Sequence, residues 1–271
     1  MTENTYDVVL DKFLYGGEVM GRLPAPDNRA LFVPYALPGE RVRVRLVEEK
    51  RGFARGELLE VLELSPKRIT PKCPYFGKCA GCAYQHMPYE EQLRAKEAIL
   101  RDQLTRIGKI ENPPVQEIVA SPQPWAYREA MSFHFGQASS ENANMPNILV
   151  EECHLPTAAI QHFWEELEFG KNDLFSHLSL HQDAAENLML IFHAKTLETP
   201  EMTLETDLSV VHIVEGEAVV MGGDDHIVTT LHDRPFHVSP TSYFHPNRAV
   251  AEKIIDHLLE NLSLNNETTL V

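Results

Sequence analysis

The chain has 271 residues, 43% of them hydrophobic, and a formal net charge of −16. That length can bury a real core and has room for two or three domains. No run approaches the roughly 20 apolar residues of a membrane span, and the start, MTENTYD, lacks a charged-then-apolar leader pattern; a cytoplasmic location with no membrane partner is expected.

The charge is unevenly spread. The first 128 residues carry 19 Lys and Arg against 17 Asp and Glu, and the remainder carries 5 against 23. A nearly neutral front part admits contact with a polyanion, whereas the acidic rear reads as a solvated surface.

Residues 1–64 read as short strands: YDVVLDKFL, ALFVPYAL, ERVRVRLVEEK and FARGELLEVLEL, separated by Gly, Pro and Asn turn signals. Several short strands in so few residues predict a small OB-like barrel. In ERVRVRLV the side chains alternate, with Arg41, Arg43 and Arg45 on one face and Val42, Val44 and Leu46 on the other. The arginine row, with Lys50, Arg51, Phe53 and Arg55 in and after the next turn, offers phosphate contacts and one aromatic ring on which a base can stack. Two or three phosphate contacts to a single strand predict a slope of log affinity against log salt of about −1.4 to −2.1. The same pattern also fits the polar outer face of an edge strand.

After Pro66 comes CPYFGKCAGCAYQH, residues 73–86, which holds three of the four cysteines. Clustered thiols in a reducing compartment more often bind metal than form disulfides. Cys73, Cys79 and Cys82 leave such a site one ligand short, and the remaining cysteine is Cys153, in VEECHLP. Four thiolates suit either an iron–sulfur cluster or structural zinc. The five-residue gap between Cys73 and Cys79 exceeds the roughly two to four residues usual between paired zinc ligands. Small side chains at Gly77, Ala80 and Gly81 leave room for a bulkier 4Fe–4S cluster.

CPYFGKCAGCAYQHMPYEEQLRAK resembles the cluster motif of the RNA uracil-5-methyltransferases, which use S-adenosylmethionine to make 5-methyluridine in ribosomal or transfer RNA. YGGEVMGR and FVPYALPGERVRVRL resemble that family's TRAM domain, an RNA-binding OB-like module. PWAYREAMSF resembles its W-x-YR segment, including Arg128, and ILVEECHLP resembles the stretch supplying the fourth cluster cysteine. FHVSPTSYFHPNRAVAEKIIDHL resembles the lead-in to the methyltransferase domain. The resemblance implies a 4Fe–4S cluster on Cys73, Cys79, Cys82 and Cys153, RNA contact by the barrel and Arg128, and S-adenosylmethionine as methyl donor. Four positions depart from the family pattern. Ala80 stands at the first of two glycines, Glu129 and Ala130 stand at an Asn and a Lys, and His245 stands at a Gln that helps hold S-adenosylmethionine.

Further along, residues 88–107, 156–169 and 247–262 read as amphipathic helices, with Asn247 as a cap. LMLIFHA, SVVHIVEG, EAVVMGG and HIVTTL read as strands of an α+β domain. GGDD at 222–225 reads as a tight turn, and His86, His134 and His245 lie nearest the motifs.

The expected fold is therefore α+β, with a TRAM barrel over 1–64, a cluster-binding domain over 65–235 and a methyltransferase lead-in over 236–271. No glycine-rich loop follows a strand, and TTLV resembles the family's first Rossmann-like strand. The Rossmann-like methyltransferase domain is accordingly expected to be absent, with helix 88–107 free to pack on it. The expected function is the RNA-binding, cluster-bearing part of a uracil-5-methyltransferase, inactive alone, with a separately encoded methyltransferase domain as one partner. The alternative is a stand-alone RNA-binding iron–sulfur protein.

Overall fold

A computed structural model describes residues 4–79, 81–134, 150–167, 175–194, 196, 198 and 208–262. The chain divides into two compact units, Met1–Ala120 and Ser121–Val271.

In the first unit, β1 (Thr5–Phe13), β2 (Val19–Arg22), β3 (Ala30–Val33), β4 (Arg41–Glu49) and β5 (Phe53–Glu63) close a barrel in the order β1-β2-β3-β5-β4. The β3–β5 pairing is parallel and the others are antiparallel. Alternation sends Val8, Leu10, Val19, Leu31, Val33, Val42, Val44 and Ala54 inward as one core. Each fully buried large aliphatic contributes about 1.5–3 kcal/mol of burial free energy. The sequence does not announce β2, because EVMGR carries a glycine mid-strand. A Cβ at Gly21 would sit 2.9 Å from Leu10 Cδ2 and 2.9 Å from the Val9 carbonyl oxygen, so glycine is what lets β1 and β2 close here. ALFVPYAL stops being a strand at Val33, since Pro34 donates no hydrogen bond and Tyr35 turns at φ +62°.

Glu40 ties the barrel to the segment after it. Its fully buried carboxylate accepts from the Arg68 guanidinium at 2.7 Å, from the Leu37 N–H at 2.8 Å and from the Ser65 N–H at 3.3 Å. The expected helix at 88–107 is α1 (Tyr89–Asp102) followed by a π-helical turn, Gln103–Ile107. On this helix Ile99 is buried, while Leu100 is half exposed. The inner face adds Ala95, which packs with Leu37 and Met87 against Phe13 and Tyr84.

In the second unit, β6 (Ala130–His134), β7 (Phe175–Gln182), β8 (Leu188–Ala194), β9 (Ser209–Val214) and β10 (Glu217–Gly222) form a sheet in the order β10-β9-β8-β7-β6. Within it, β8 and β9 run parallel. Ile160 and Trp164 of α2 (Ala158–Glu166) cover one sheet face, packing on Phe133, Leu178, Leu180, Leu190 and Phe192. Trp164 stacks on Phe133 with centroids 3.5 Å apart. Met189, Ile191, Val211 and Ile213 line the other face with Ile227. β11 (Ile227–Leu231) and β12 (Arg234–Val238) make a separate hairpin, and α3 (Arg248–Asn261) follows. GGDD is not the tight turn expected: it is a bend that links β10 of the five-stranded sheet to β11 of the hairpin, with Gly223 at φ +73° and Asp224 N–H donating to Ser209 Oγ at 2.9 Å. β6, β7 and β12 are not legible in the sequence. In FSHLSLHQ the positions alternating with Leu178 and Leu180 are His177, Ser179 and His181, none of them fully exposed, which dilutes the apolar signal. Among the described residues no helix is long and apolar enough to cross a membrane.

Candidate nucleic-acid interface and cysteine loop

The barrel presents the arginine row outward, but each arginine already faces a carboxylate. Register sets Asp7 of β1 and Glu60 of β5 on either side of Arg43, and Arg43 bonds both, at 2.8 and 3.2 Å. Arg41 reaches Glu63 at 3.2 Å, and Arg45 reaches Glu57 at 3.1 Å. The hydrogen bond from Arg43 holds the Asp7 carboxyl below its ordinary value. Lys50 lies 3.4 Å from Glu48, and Arg55 bonds both Glu18 and Glu48. Exposed pairs of this kind add little to stability. They nevertheless leave the row electrically balanced. Arg51, exposed on the β4–β5 turn, forms no ion pair among the described residues.

Phe53 does not stand alone. Its ring meets Phe32 with centroids 5.5 Å apart, and the Arg55 guanidinium lies 5.7 Å from its centroid. Nothing in the sequence pairs Phe32 with Phe53; the parallel β3–β5 register does.

The cysteine loop wraps an aromatic stack. Tyr35 meets Phe76 edge to face at 5.2 Å, and Phe76 meets His86 at 5.2 Å. His86 is fully buried. Its Nε2 donates to the Ala36 carbonyl at 3.0 Å, Nδ1 has no partner, and burial lowers its pKa, so the ring is neutral. Gln85 Oε1 accepts from the Cys73 N–H at 3.0 Å, and Cys79 N–H donates to the Tyr75 carbonyl at 2.8 Å. Gly81 N–H points at Cys79 Sγ from 3.4 Å. Burial first, then the nearby Cys79 and Cys82 sulfurs, push the Tyr35 phenol up. None of the four cysteines is in a disulfide. Soft thiol donors and small loop residues suit a cluster chemically. However, among the described residues no group of three or more His, Cys, Asp or Glu side chains is gathered to hold a metal ion. Ala80 lies outside the described residues.

In the second unit, Cys153 N–H donates to Gln161 Oε1 at 3.1 Å, beside α2. Arg128 is pinned by its backbone N–H to the Leu155 carbonyl, with Nη1 3.6 Å from Met131 Sδ and a buried Nε that has no partner. Its neighbour Glu129 pairs with Arg248 at 3.1 Å. Burial pushes the Glu129 carboxyl up, Arg248 opposes this, and Glu252 adds to it. His245 turns its Nδ1 to the backbone of Asn247, at 3.1–3.2 Å. The side chain of His134 lies outside the described residues.

Comparison with known proteins adds to this geometry. Residues 2–59 match the model of the TRAM domain. The chain is 27% identical to an uncharacterized RNA methyltransferase of Halalkalibacterium halodurans over 98% of its own length and 66% of the relative's. It is 30% identical to an uncharacterized RNA methyltransferase of Aquifex aeolicus over 96% of its own length and 65% of the relative's. It thus spans just under two thirds of the length of these relatives. The structure follows that of the Pyrococcus abyssi tRNA (uracil-54, C5)-methyltransferase in complex with S-adenosyl-L-homocysteine, with a TM-score of 0.66. That likeness covers 93% of this chain and 64% of the other, at 21% identity.

One part of the expected fold class is thereby corrected. The sequence predicts that the Rossmann-like methyltransferase domain is absent apart from its lead-in. Instead, 93% of the chain shares its fold with a methyltransferase structure. Strand order and packing carry that fold, and a missing glycine-rich loop does not report on them. The separately encoded methyltransferase domain has no support from these alignments, which run along single chains over 96–98% of this one.

Proposed function

We propose that the protein acts on RNA as an S-adenosylmethionine-dependent methyltransferase that modifies carbon 5 of a uridine in ribosomal or transfer RNA. The TRAM-matched barrel serves as its RNA-holding module. The observation that carries this reading is the join: a barrel of that type continues into a chain that follows a methyltransferase structure.

S-adenosylmethionine supplies the methyl group when bound. The chain's own share is to hold the RNA and keep the target base out of its stack. In that chemistry a thiolate adds to carbon 6, carbon 5 takes the methyl group, and a base removes the carbon 5 proton as the carbon 6–sulfur bond breaks and the thiolate leaves. Cys73, Cys79, Cys82 and Cys153 are the residues that would hold a 4Fe–4S cluster; supporting this are their motif, their small neighbours and the Gly81 N–H on Cys79 Sγ. His245 is the candidate contact to S-adenosylmethionine.

The test is direct. Purified protein is incubated with S-adenosylmethionine and unmodified transfer or ribosomal RNA transcripts, and the nucleosides are read by mass spectrometry. New 5-methyluridine is the expected result. A second reading, an RNA-binding iron–sulfur protein without methyl transfer, is favoured by one observation. All four cysteines of the 271 residues fall in the cluster pattern. Tight RNA binding with no 5-methyluridine decides for it.

A further inference from the structure

We infer that the barrel recognises single-stranded RNA by stacking bases on the outer face of β2, β3 and β5, around Phe32 and Phe53, rather than by gripping phosphates with the arginine row. This rests on the RNA reading above and locates its contact.

The strand register builds the face. Met20 lies opposite Phe32, which lies opposite Arg55; one rung along, Arg22 lies opposite Ala30, which lies opposite Phe53. The intervening residues, Val19, Gly21, Leu31, Val33 and Ala54, are all buried, so the alternation sends Met20, Phe32 and Phe53 to the outside. All three are half-buried. Neither phenylalanine belongs to the barrel core or to the apolar side chains packed against it. Two large rings and a thioether are therefore held on the outer wall where they contribute nothing to the interior. Their mutual contact at 5.5 Å fixes the ring planes, and the Arg55 guanidinium 5.7 Å from the Phe53 centroid is fixed in turn by Glu18 and Glu48. Rigid aromatic faces beside an arginine are what unpaired bases stack on, and duplex RNA hides those base faces.

Electrostatics point the same way. Asp7, Glu57, Glu60 and Glu63 neutralise Arg41, Arg43 and Arg45, and a phosphate would have to displace a carboxylate to bind there. At the rim of the aromatic face, Arg51 forms no ion pair among the described residues, and Arg22 donates to a backbone carbonyl, that of Asn28. Binding through this face depends weakly on salt.

The test uses the full chain and a short oligouridylate carrying one fluorescent base analogue. Wild-type protein should quench the analogue on binding, prefer the single strand to a duplex, and show a salt slope of about −0.7, the value for one phosphate. Replacing both rings, Phe32→Leu with Phe53→Leu, should weaken binding by about tenfold or more and abolish the quenching, in line with the typical worth of base–aromatic stacking. Leucine keeps most of the apolar volume, and unchanged circular dichroism and melting temperature will show that the barrel still folds. Arg43→Ala with Arg45→Ala should bind as wild type. If wild type binds RNA while the phenylalanine variant binds equally well, or the arginine variant loses affinity, the stacking face is overturned and the RNA reading stands. If wild type binds no RNA, both fall.

Discussion

At the scale of single residues, Glu40 shows how a buried charge is kept. Burial raises its carboxyl, but the Arg68 guanidinium and the N–H groups of Leu37 and Ser65 outweigh that and hold it below its ordinary value of 4.5. A depressed folded value means the stabilisation is fully present above the unfolded value and is lost as pH falls through the folded one. Glu40→Gln strands the Arg68 charge in a site where its side chain is 18% exposed. Denaturant unfolding at neutral pH should show a loss on the order of 3 kcal/mol, and below pH 4.5 the variant should lose less further stability than wild type. A loss well under about 1 kcal/mol would place the pair among ordinary surface contacts. Nothing around Glu40 in PGERVRV marks it as buried, because its partner lies 28 residues away.

At the scale of elements, α3 is the most legible. The sequence places its start after Asn247, and the structure agrees: Asn247 Oδ1 accepts from the Val250 N–H at 3.1 Å. Its amide also donates to Ser121 Oγ at 3.0 Å, a bond the sequence does not announce. Asn247→Ala removes both and should cost about 1–2 kcal/mol. Asn247→Ser should recover the cap alone, giving an intermediate melting temperature; equal losses in the two variants would mean that the cap contributes little. The strands were less legible. Residues 209–214 and 217–222 carry continuous apolar runs and read clearly, whereas β7 hides its buried Leu178 and Leu180 between histidines and serines.

At the scale of the whole molecule, the cysteines are the feature the sequence singles out most strongly. Cys153 lies far along the chain from the triplet, so a cluster on all four would close a long loop and tie its formation to folding. Protein purified without oxygen should contain about four iron and four sulfide per chain, the content of one 4Fe–4S cluster, and should be brown. Cys153→Ser should lower both contents together with the melting temperature. Stoichiometric zinc with neither iron nor sulfide would refute the cluster.

The sequence by itself determined what depends on local period and spacing. It set the inward valines and outward arginines of β4, the cap and length of α3 and the cysteine pattern. These follow from backbone geometry within a few residues. Only the tertiary structure decided which distant residues meet. Arg43 found Asp7 and Glu60 through the register of three strands, Glu40 found Arg68, and Phe32 found Phe53 through one parallel pairing. Strand pairing is a long-range choice among many registers, and the period of a strand says which way a side chain faces but not what it faces.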